Sequence, residues 1–331
     1  MDSLLLSDDE VRDVISLGEA INVVEMAFRE KGLGRVQMPP KIYLSFKRYN
    51  GDLRAMPSYL EELDISAVKV VNSHPDNREK HGLPTVMATI ILIDPKSGFP
   101  FAIMGGTTIT DMRTGAAGGI AAKYLARRDS KVVGMVGAGA QARTQLMALL
   151  EVFSSIEEIR VWSRSEKTRR DFKSEMEAKY GHLCKIITTG SVKEAVNGAD
   201  IIVTTTPSRT PLVMDEWIQQ GTHLNCIGAD APGKEELDPL ILKRAKIVVD
   251  DWEQASHSGE INVPLSRGII SREDVWAELG EVVAGKKPGR TSSEEITVFV
   301  STGLAVQDAV TANLVYQRAL ERGIGKRIKI V

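Results

Sequence analysis

Lys131-Val-Val-Gly-Met-Val-Gly-Ala-Gly-Ala-Gln-Ala142 constrains this chain more than any other stretch, because it runs a short apolar strand into a glycine turn and a helix. Val132 to Val136 supply the strand. Gly137, Gly139 and Ala142 then give G-x-G-x-x-A, and residues 141–150 continue with helical periodicity. Gly137 permits the tight turn, Gly139 lets backbone approach a pyrophosphate, and Ala142 lets the helix lie close to the sheet. The free N–H groups and positive dipole end of that helix favour phosphate. Glycine pairs are common in ordinary turns, so the placement between strand and helix carries the weight. The expected cofactor is NAD or NADP.

The sequence around this turn alternates. Apolar strands recur at 132–136, 158–162, 185–187, 200–204, 223–227 and 246–249, with helical patterns between several of them, as in a doubly wound parallel sheet. Upstream the pattern differs. Ser7 with Glu10, and Ser16 with Glu19, form two capping boxes, and the second opens an amphipathic helix with Ile21, Val24 and Phe28 on one face. Gly32 and Gly34 end that helix. Strands follow at 41–46, 52–57, 66–71, 86–93 and 99–104, the last two flanking the hairpin loop Asp94-Pro-Lys-Ser-Gly98. So many strands with so few helices imply a mainly antiparallel or mixed sheet. A Gly/Ala-rich helix spans 111–126, and a long amphipathic helix spans 303–323 and returns to the first domain. The expected fold is α/β: a doubly wound parallel domain beside a smaller α+β domain.

A chain of 331 residues has room for two domains with buried cores. Its formal charge of −2 argues against nucleic-acid or anionic-membrane partners. No apolar run reaches the length of a membrane span, and the acidic start is unlike a secretory signal. Cys184 and Cys226 have no metal-like spacing and are expected to be buried and reduced, and no other His/Cys/carboxylate spacing points to a metal. A cytoplasmic enzyme fits these features.

An acidic residue about 20 positions past the glycine turn favours NAD by binding the adenosine ribose. Here the second strand ends in Trp162, Ser163, Arg164 and Ser165, with Lys167, Arg169 and Arg170 following, while Glu157 and Glu158 lie at its wrong end. A guanidinium plus hydroxyls suits a 2′-phosphate, which tilts the expectation towards NADP; a solvated basic helix start is the alternative.

Three residues stand out for chemistry. Lys69 shares a strand face with Ala67 and Val71, where an ammonium either escapes to solvent or is desolvated with a lowered pKa. Taken by itself, a lysine on an exposed edge strand is the commoner case. Arg113, at the start of the Gly/Ala-rich helix, is suited to clamp a carboxylate or to form a surface ion pair. Asp230 follows a strand and a glycine turn, where ligands bind in open α/β sheets, although aspartate beside glycine is also a common turn residue. His74 and His81 are weaker candidates.

Val68-Lys-Val-Val-Asn-Ser-His-Pro75, Leu83-Pro-Thr85, Arg113-Thr-Gly-Ala-Ala117, Val136-Gly-Ala-Gly-Ala-Gln-Ala142, Thr204-Thr-Thr-Pro-Ser208, Ile227-Gly-Ala-Asp230 and Ser301-Thr-Gly303 occur in an order that resembles the ornithine cyclodeaminase/mu-crystallin family. The likeness covers nearly the whole chain. Within that family, residues 51–57 and 227–238 look most like the archaeal-type alanine dehydrogenases. The resemblance implies a substrate-binding and dimerisation domain over 1–116 plus 303–331, a Rossmann domain over 117–302, and a homodimer. It assigns Lys69 as the acid/base, Arg113 as the carboxylate clamp that also borders the cofactor, and Asp230 beside the reacting amine. Gly137, Gly139, Ala140 and Gln141 would line the pyrophosphate, with Trp162, Ser163 and Arg164 at the adenosine ribose. Gly228, Ala229, Asp230 and Ser301 would complete the cofactor contacts, and Lys41, Arg54 and Thr302 would border the substrate.

Two departures matter. Ornithine cyclodeaminases carry a carboxylate just before Met-Pro, whereas Arg54 stands two residues before Met56-Pro57 here, and a guanidinium there would repel a second substrate cation. Many NAD-using members carry an acidic residue where Ser163–Arg164 stands. The expected reaction is reversible oxidative deamination of L-alanine to pyruvate and ammonia, with hydride leaving Cα to give an imine and Lys69 and Asp230 managing protons. The alternatives are ornithine cyclodeamination to proline, cyclic-imine reduction, and a mu-crystallin-like binding role without turnover. In each case the partner is a small amino or keto acid.

Overall fold

The computed structural model describes residues 2–331, which form two compact units: everything up to Arg113 together with Leu304–Val331, and Thr114–Gly303. No helix among the described residues is long and apolar enough to cross a membrane.

The first unit is built on a mixed sheet of eight strands among the described residues. In spatial order these are Lys326–Ile328, Ser3–Leu6, Pro100–Gly105, Val86–Ile93, Ile65–Ser73, Gly51–Leu60 and Val36–Gln37, with Ile42–Phe46 also paired to Gly51–Leu60. Ser3–Leu6 and Pro100–Gly105 run parallel, and the other neighbours are antiparallel. The register is what positions chemistry. Met56, Lys69 and Ile90 stand opposite one another across three strands, as do Arg54, Val71 and Ala88, so these side chains share one face of the pleat.

Two helices, Leu17–Leu33 and Ala305–Arg322, pack together in this unit, and Ala305–Arg322 also lies against the strand Ile65–Ser73. Leu17, Ala20, Ile21, Val24, Ala27 and Phe28 form the buried stripe of the first, at the spacing a 3.6-residue period requires. Both serine caps form. Ser7 makes the full capping box with Glu10, and Ser16 accepts the Glu19 N–H, each contributing about 1 kcal/mol. Gly34 alone takes the left-handed conformation that closes the helix, at φ 77°; Gly32 lies inside it, so the expected double glycine stop is one glycine.

The second unit is a doubly wound parallel sheet. Its strands run in the order Lys185–Thr188, Glu158–Trp162, Val132–Val136, Ile201–Thr204, His223–Cys226, Ile296–Val300, Ala245–Val249 and Val275–Glu278. Alternate residues enter two cores: Val133, Met135, Ile201 and Val203 on one side, Val136, Ile202, Leu224 and Val298 on the other. The chain order reverses at Val132–Val136, and in open α/β sheets ligands bind at such a switch point. Strands Ile296–Val300 and Val275–Glu278 were not among the expected ones. The first is buried throughout, and a short continuous apolar run has no period-2 signature to reveal it. A small parallel pair, Arg209–Val213 with Glu235–Leu237, completes the unit.

Candidate functional site

Lys69 is buried, with 1% of its surface exposed, on a strand flanked on both sides by others. The exposed edge lysine, commoner in general, is therefore not what this chain forms. The side chain points from the sheet towards the helix Ala305–Arg322, where its Nζ lies 2.6 Å from Asp308 Oδ2 and donates to Thr110 Oγ1 at 3.4 Å. Arg113 is also buried, with 6% of its surface exposed, which removes the surface ion pair as its role. Its Nε donates to Asp308 Oδ1 at 3.0 Å and its Nη1 to Gln307 Oε1 at 3.2 Å, which fixes the plane of the guanidinium.

One buried carboxylate thus serves two buried cations. Arginine does not give up its proton in proteins, so Asp308 can balance the guanidinium but not the ammonium as well. Burial, followed by the positive charge of Arg113, pushes Lys69 down to about 7 against the opposing pull of Asp308; Lys41 adds a smaller push in the same direction. Near neutral pH the amine is divided between its two protonation states, the condition for passing protons either way. Asp111, on the same helix as Arg113, is raised to about 6, chiefly by burial.

Arg54 shares the pleat face of Lys69 by register. Its guanidinium is paired bidentately with Asp52, at 3.2 and 2.9 Å, and lies over the Tyr43 ring. Asp52, two residues before Arg54 and not among the residues expected from the sequence, neutralises it. What Arg54 offers a ligand is therefore N–H donors more than net charge. Those donors match an acceptor and not a second ammonium.

In the second unit the strand Val132–Val136 delivers Gly137 at φ 116°, where a Cβ would lie 2.3 Å from Thr205 Oγ1, so only glycine fits. Gly139 caps the helix Ala140–Val152 and nothing lies within 4 Å of where its Cβ would be, leaving its backbone open to approach. Ala142 is fully buried against the sheet. These features border a cavity of about 680 Å³. Gly137, Gly139, Trp162, Ser163 and Arg164 all line it, whereas Ala140 and Gln141 continue into the helix outside the lining. Of the basic cluster, Arg164 is the member on the cavity. Lys167 and Arg170 pair with Asp171 and Glu166, and Arg169 donates to the Ser163 carbonyl. An open glycine backbone at a helix N-terminus beside a cavity of this size fits a dinucleotide.

The remaining expected residues sit on neighbouring loops of this unit. Gly228 is locked: its N–H donates to Glu236 Oε2 at 3.1 Å, and a Cβ would meet Thr206 O at 2.2 Å. Ala229 is buried beside it, and Asp230 is ion-paired with Lys234. Ser301 and Thr302 follow the strand Ile296–Val300. Asp250 accepts the Thr302 N–H at 2.5 Å and its hydroxyl at 3.0 Å, so that hydroxyl is already engaged.

Two residues were not found by reading the sequence: Asp308 and Gln307, which hold Lys69 and Arg113. Thr205, Thr206, Pro207 and Ser208, noted in the sequence only as a family motif without a role, form one cavity wall. Asp308 did leave a signal, since it interrupts the apolar stripe Ala305, Ala312, Val315 and Ala319 at helical spacing. A polar residue in such a stripe needs a partner.

A model of the ornithine cyclodeaminase/mu-crystallin family matches residues 1–323. The alanine dehydrogenase of Archaeoglobus fulgidus is 54% identical over 329 residues, covering 99% of each chain. An archaeal alanine dehydrogenase dimer with bound NAD superposes with a TM-score of 0.95 at 53% identity, covering all of both chains. Thermococcus litoralis Δ1-pyrroline-2-carboxylate reductase, in complex with NADH and L-proline, gives 0.94 at 45% identity over 98% of this chain and all of that one.

Proposed function

This chain belongs to the ornithine cyclodeaminase/mu-crystallin family, and from that premise we propose that it is an NAD(P)-dependent alanine dehydrogenase that interconverts L-alanine with pyruvate and ammonia. The observation that carries the reading is the buried trio Lys69, Asp308 and Arg113, in a chain 54% identical to an enzyme of that name.

Arg113 binds the substrate carboxylate through its planar fork, held in orientation by Asp308 and Gln307. That carboxylate adds the negative charge the trio lacks. It raises the proton affinity of Lys69 just as the substrate ammonium must lose a proton, and Nζ takes it. Lys69 then returns protons as water adds to the substrate and ammonia leaves, with Asp230 as the second carrier. When bound, the nicotinamide supplies the acceptor for the hydride on Cα. Gly137, Gly139, Trp162, Ser163 and Arg164 hold the dinucleotide, and the Arg164 guanidinium favours a 2′-phosphate.

The decisive assay offers purified protein L-alanine or L-ornithine with NAD or NADP, and follows reduced cofactor and proline together. Net reduction with alanine and none with ornithine is the expected outcome, with NADP the better acceptor. Proline from ornithine without net reduction would replace the reading with cyclodeamination. The likeness to the Thermococcus enzyme supports a second activity, so Δ1-pyrroline-2-carboxylate belongs in the same assay; turnover of it alone would make cyclic-imine reduction the function.

We also read the working form as a cytoplasmic homodimer. The strand Ile42–Phe46 is exposed along its length, with Ile42 61% and Leu44 55% exposed and Tyr49 beyond it at 63%, a row of apolar side chains suited to a second copy. Sedimentation at micromolar concentration is expected to give twice the chain mass of 36.2 kDa; a monomer throughout would remove the dimer.

A further inference from the structure

One carboxylate ties together two loops at the carboxyl ends of the parallel strands. Glu236, wholly buried in the strand Glu235–Leu237, accepts the Thr206 N–H on Oε1 at 2.6 Å and the Gly228 N–H on Oε2 at 3.1 Å. The backbone N–H groups of Glu236 and Leu237 donate in turn to Glu260 Oε1 at 2.8 and 2.7 Å, and Glu260 is itself buried. The joined loops are functional ones. Thr205 and Thr206 form a wall of the dinucleotide cavity, Thr205 packs on Gly137, and the Asp230 N–H returns to the Gly228 carbonyl at 3.0 Å.

We propose that Glu236 is the positioning residue of the dinucleotide cavity: its ionised carboxylate holds the Thr206 wall and the Gly228–Asp230 loop in register with the glycine turn, and Glu260 holds Glu236 in place. This rests on reading that cavity as a dinucleotide site. The donors converging on it favour the ionised form. Each oxygen accepts a backbone N–H, and the Thr204 and Thr206 hydroxyls add to them. A protonated acid is the weaker acceptor for all of these, although the Gly228 N–H also reaches the Thr204 carbonyl at 3.1 Å.

Burial raises Glu236 to about 7 although the Thr206 hydroxyl and N–H, the Thr204 hydroxyl and the Gly228 N–H pull it down, and burial together with the charge of Glu236 pushes Glu260 well above the usual carboxylate range. The other titratable groups around the pair are Glu235, with Arg267 at 3.6 Å from it, and Cys226, whose thiol burial keeps neutral. Cofactor affinity is therefore present above the Glu236 pKa and lost as pH falls through it.

The test is NADH binding to the full chain by fluorescence titration between about pH 6 and pH 8, a range in which the pyrophosphate does not titrate. The wild type is expected to bind about tenfold more tightly at the upper end, the effect of one buried N–H regaining its acceptor. Glu236→Gln, which cannot accept at both positions, is expected to bind with the weak affinity at every pH. A wild type that binds NADH with no pH dependence overturns the proposal, as does E236Q with the wild-type slope. A wild type that binds neither NADH nor NADPH overturns the dinucleotide reading itself. Lys69 titrates in the same range, so K69M separates the two and also decides the matter should E236Q fail to fold. A slope that persists in K69M supports Glu236, and one that vanishes overturns it.

Discussion

Lys69→Met is expected to lower kcat for alanine deamination by about a thousandfold, within the range that loss of a positioned acid–base group costs. The direction with pH follows from the lysine's position near 7. As the base in deamination it must be neutral, so wild-type kcat/KM climbs as pH rises through about 7, the kcat limb lies higher because the bound carboxylate raises Lys69, and K69M loses both limbs. Methionine fills the same buried volume without a charge, and Asp308 keeps Arg113 as a partner, so the variant is expected to fold. NADH affinity measured at a fixed alkaline pH should match the wild type. A K69M protein that binds cofactor and turns over alanine within tenfold of the wild type would remove Lys69 from the mechanism.

The second large effect is on Asp308, which acts in this scheme through its contacts with Lys69 Nζ and Arg113 and not on the substrate itself. Asp308→Asn removes the carboxylate that contacts both Lys69 and Arg113, leaving Asp111 as the remaining buried carboxyl that interacts with them, and breaking a buried ion pair from one side typically costs about 3–5 kcal/mol. Urea denaturation should show a loss of that order. The lysine then loses the interaction that held its pKa up, so it falls below about 7 and the rising limb of the pH–rate profile moves to lower pH. A purely structural aspartate would lower stability and leave the limb where it is. Wild-type stability together with an unmoved profile would show that Asp308 neither balances nor tunes the pair.

Much of this was written in short-range pattern. The strand, glycine turn and helix of residues 131–142 announce their own geometry, because tight turns and close helix packing select glycine and alanine locally. The caps at Ser7 and Ser16 and the alternation along 66–71 are local in the same sense. So is the placement of Ser163 and Arg164 at the end of the second strand. Each of these is fixed by residues within about one turn or one strand of each other.

Pairing across the chain is not of that kind. Ser3–Leu6 becomes a strand only because Pro100–Gly105 and Lys326–Ile328 lie on either side of it. Whether Lys69 is a solvated edge residue or a buried base depends on which strands flank it, and the sequence has no local mark for that. Its partner Asp308 is 239 positions away, and Glu236 and Glu260 are tied to the cavity wall in part through backbone groups that any residue carries. The sequence by itself determined the parallel α/β unit, its dinucleotide turn and the residue types available for proton transfer. The tertiary structure alone decided which charges are buried together, because desolvation is a property of the assembled surroundings and sets the Lys69 and Glu236 pKa values near 7.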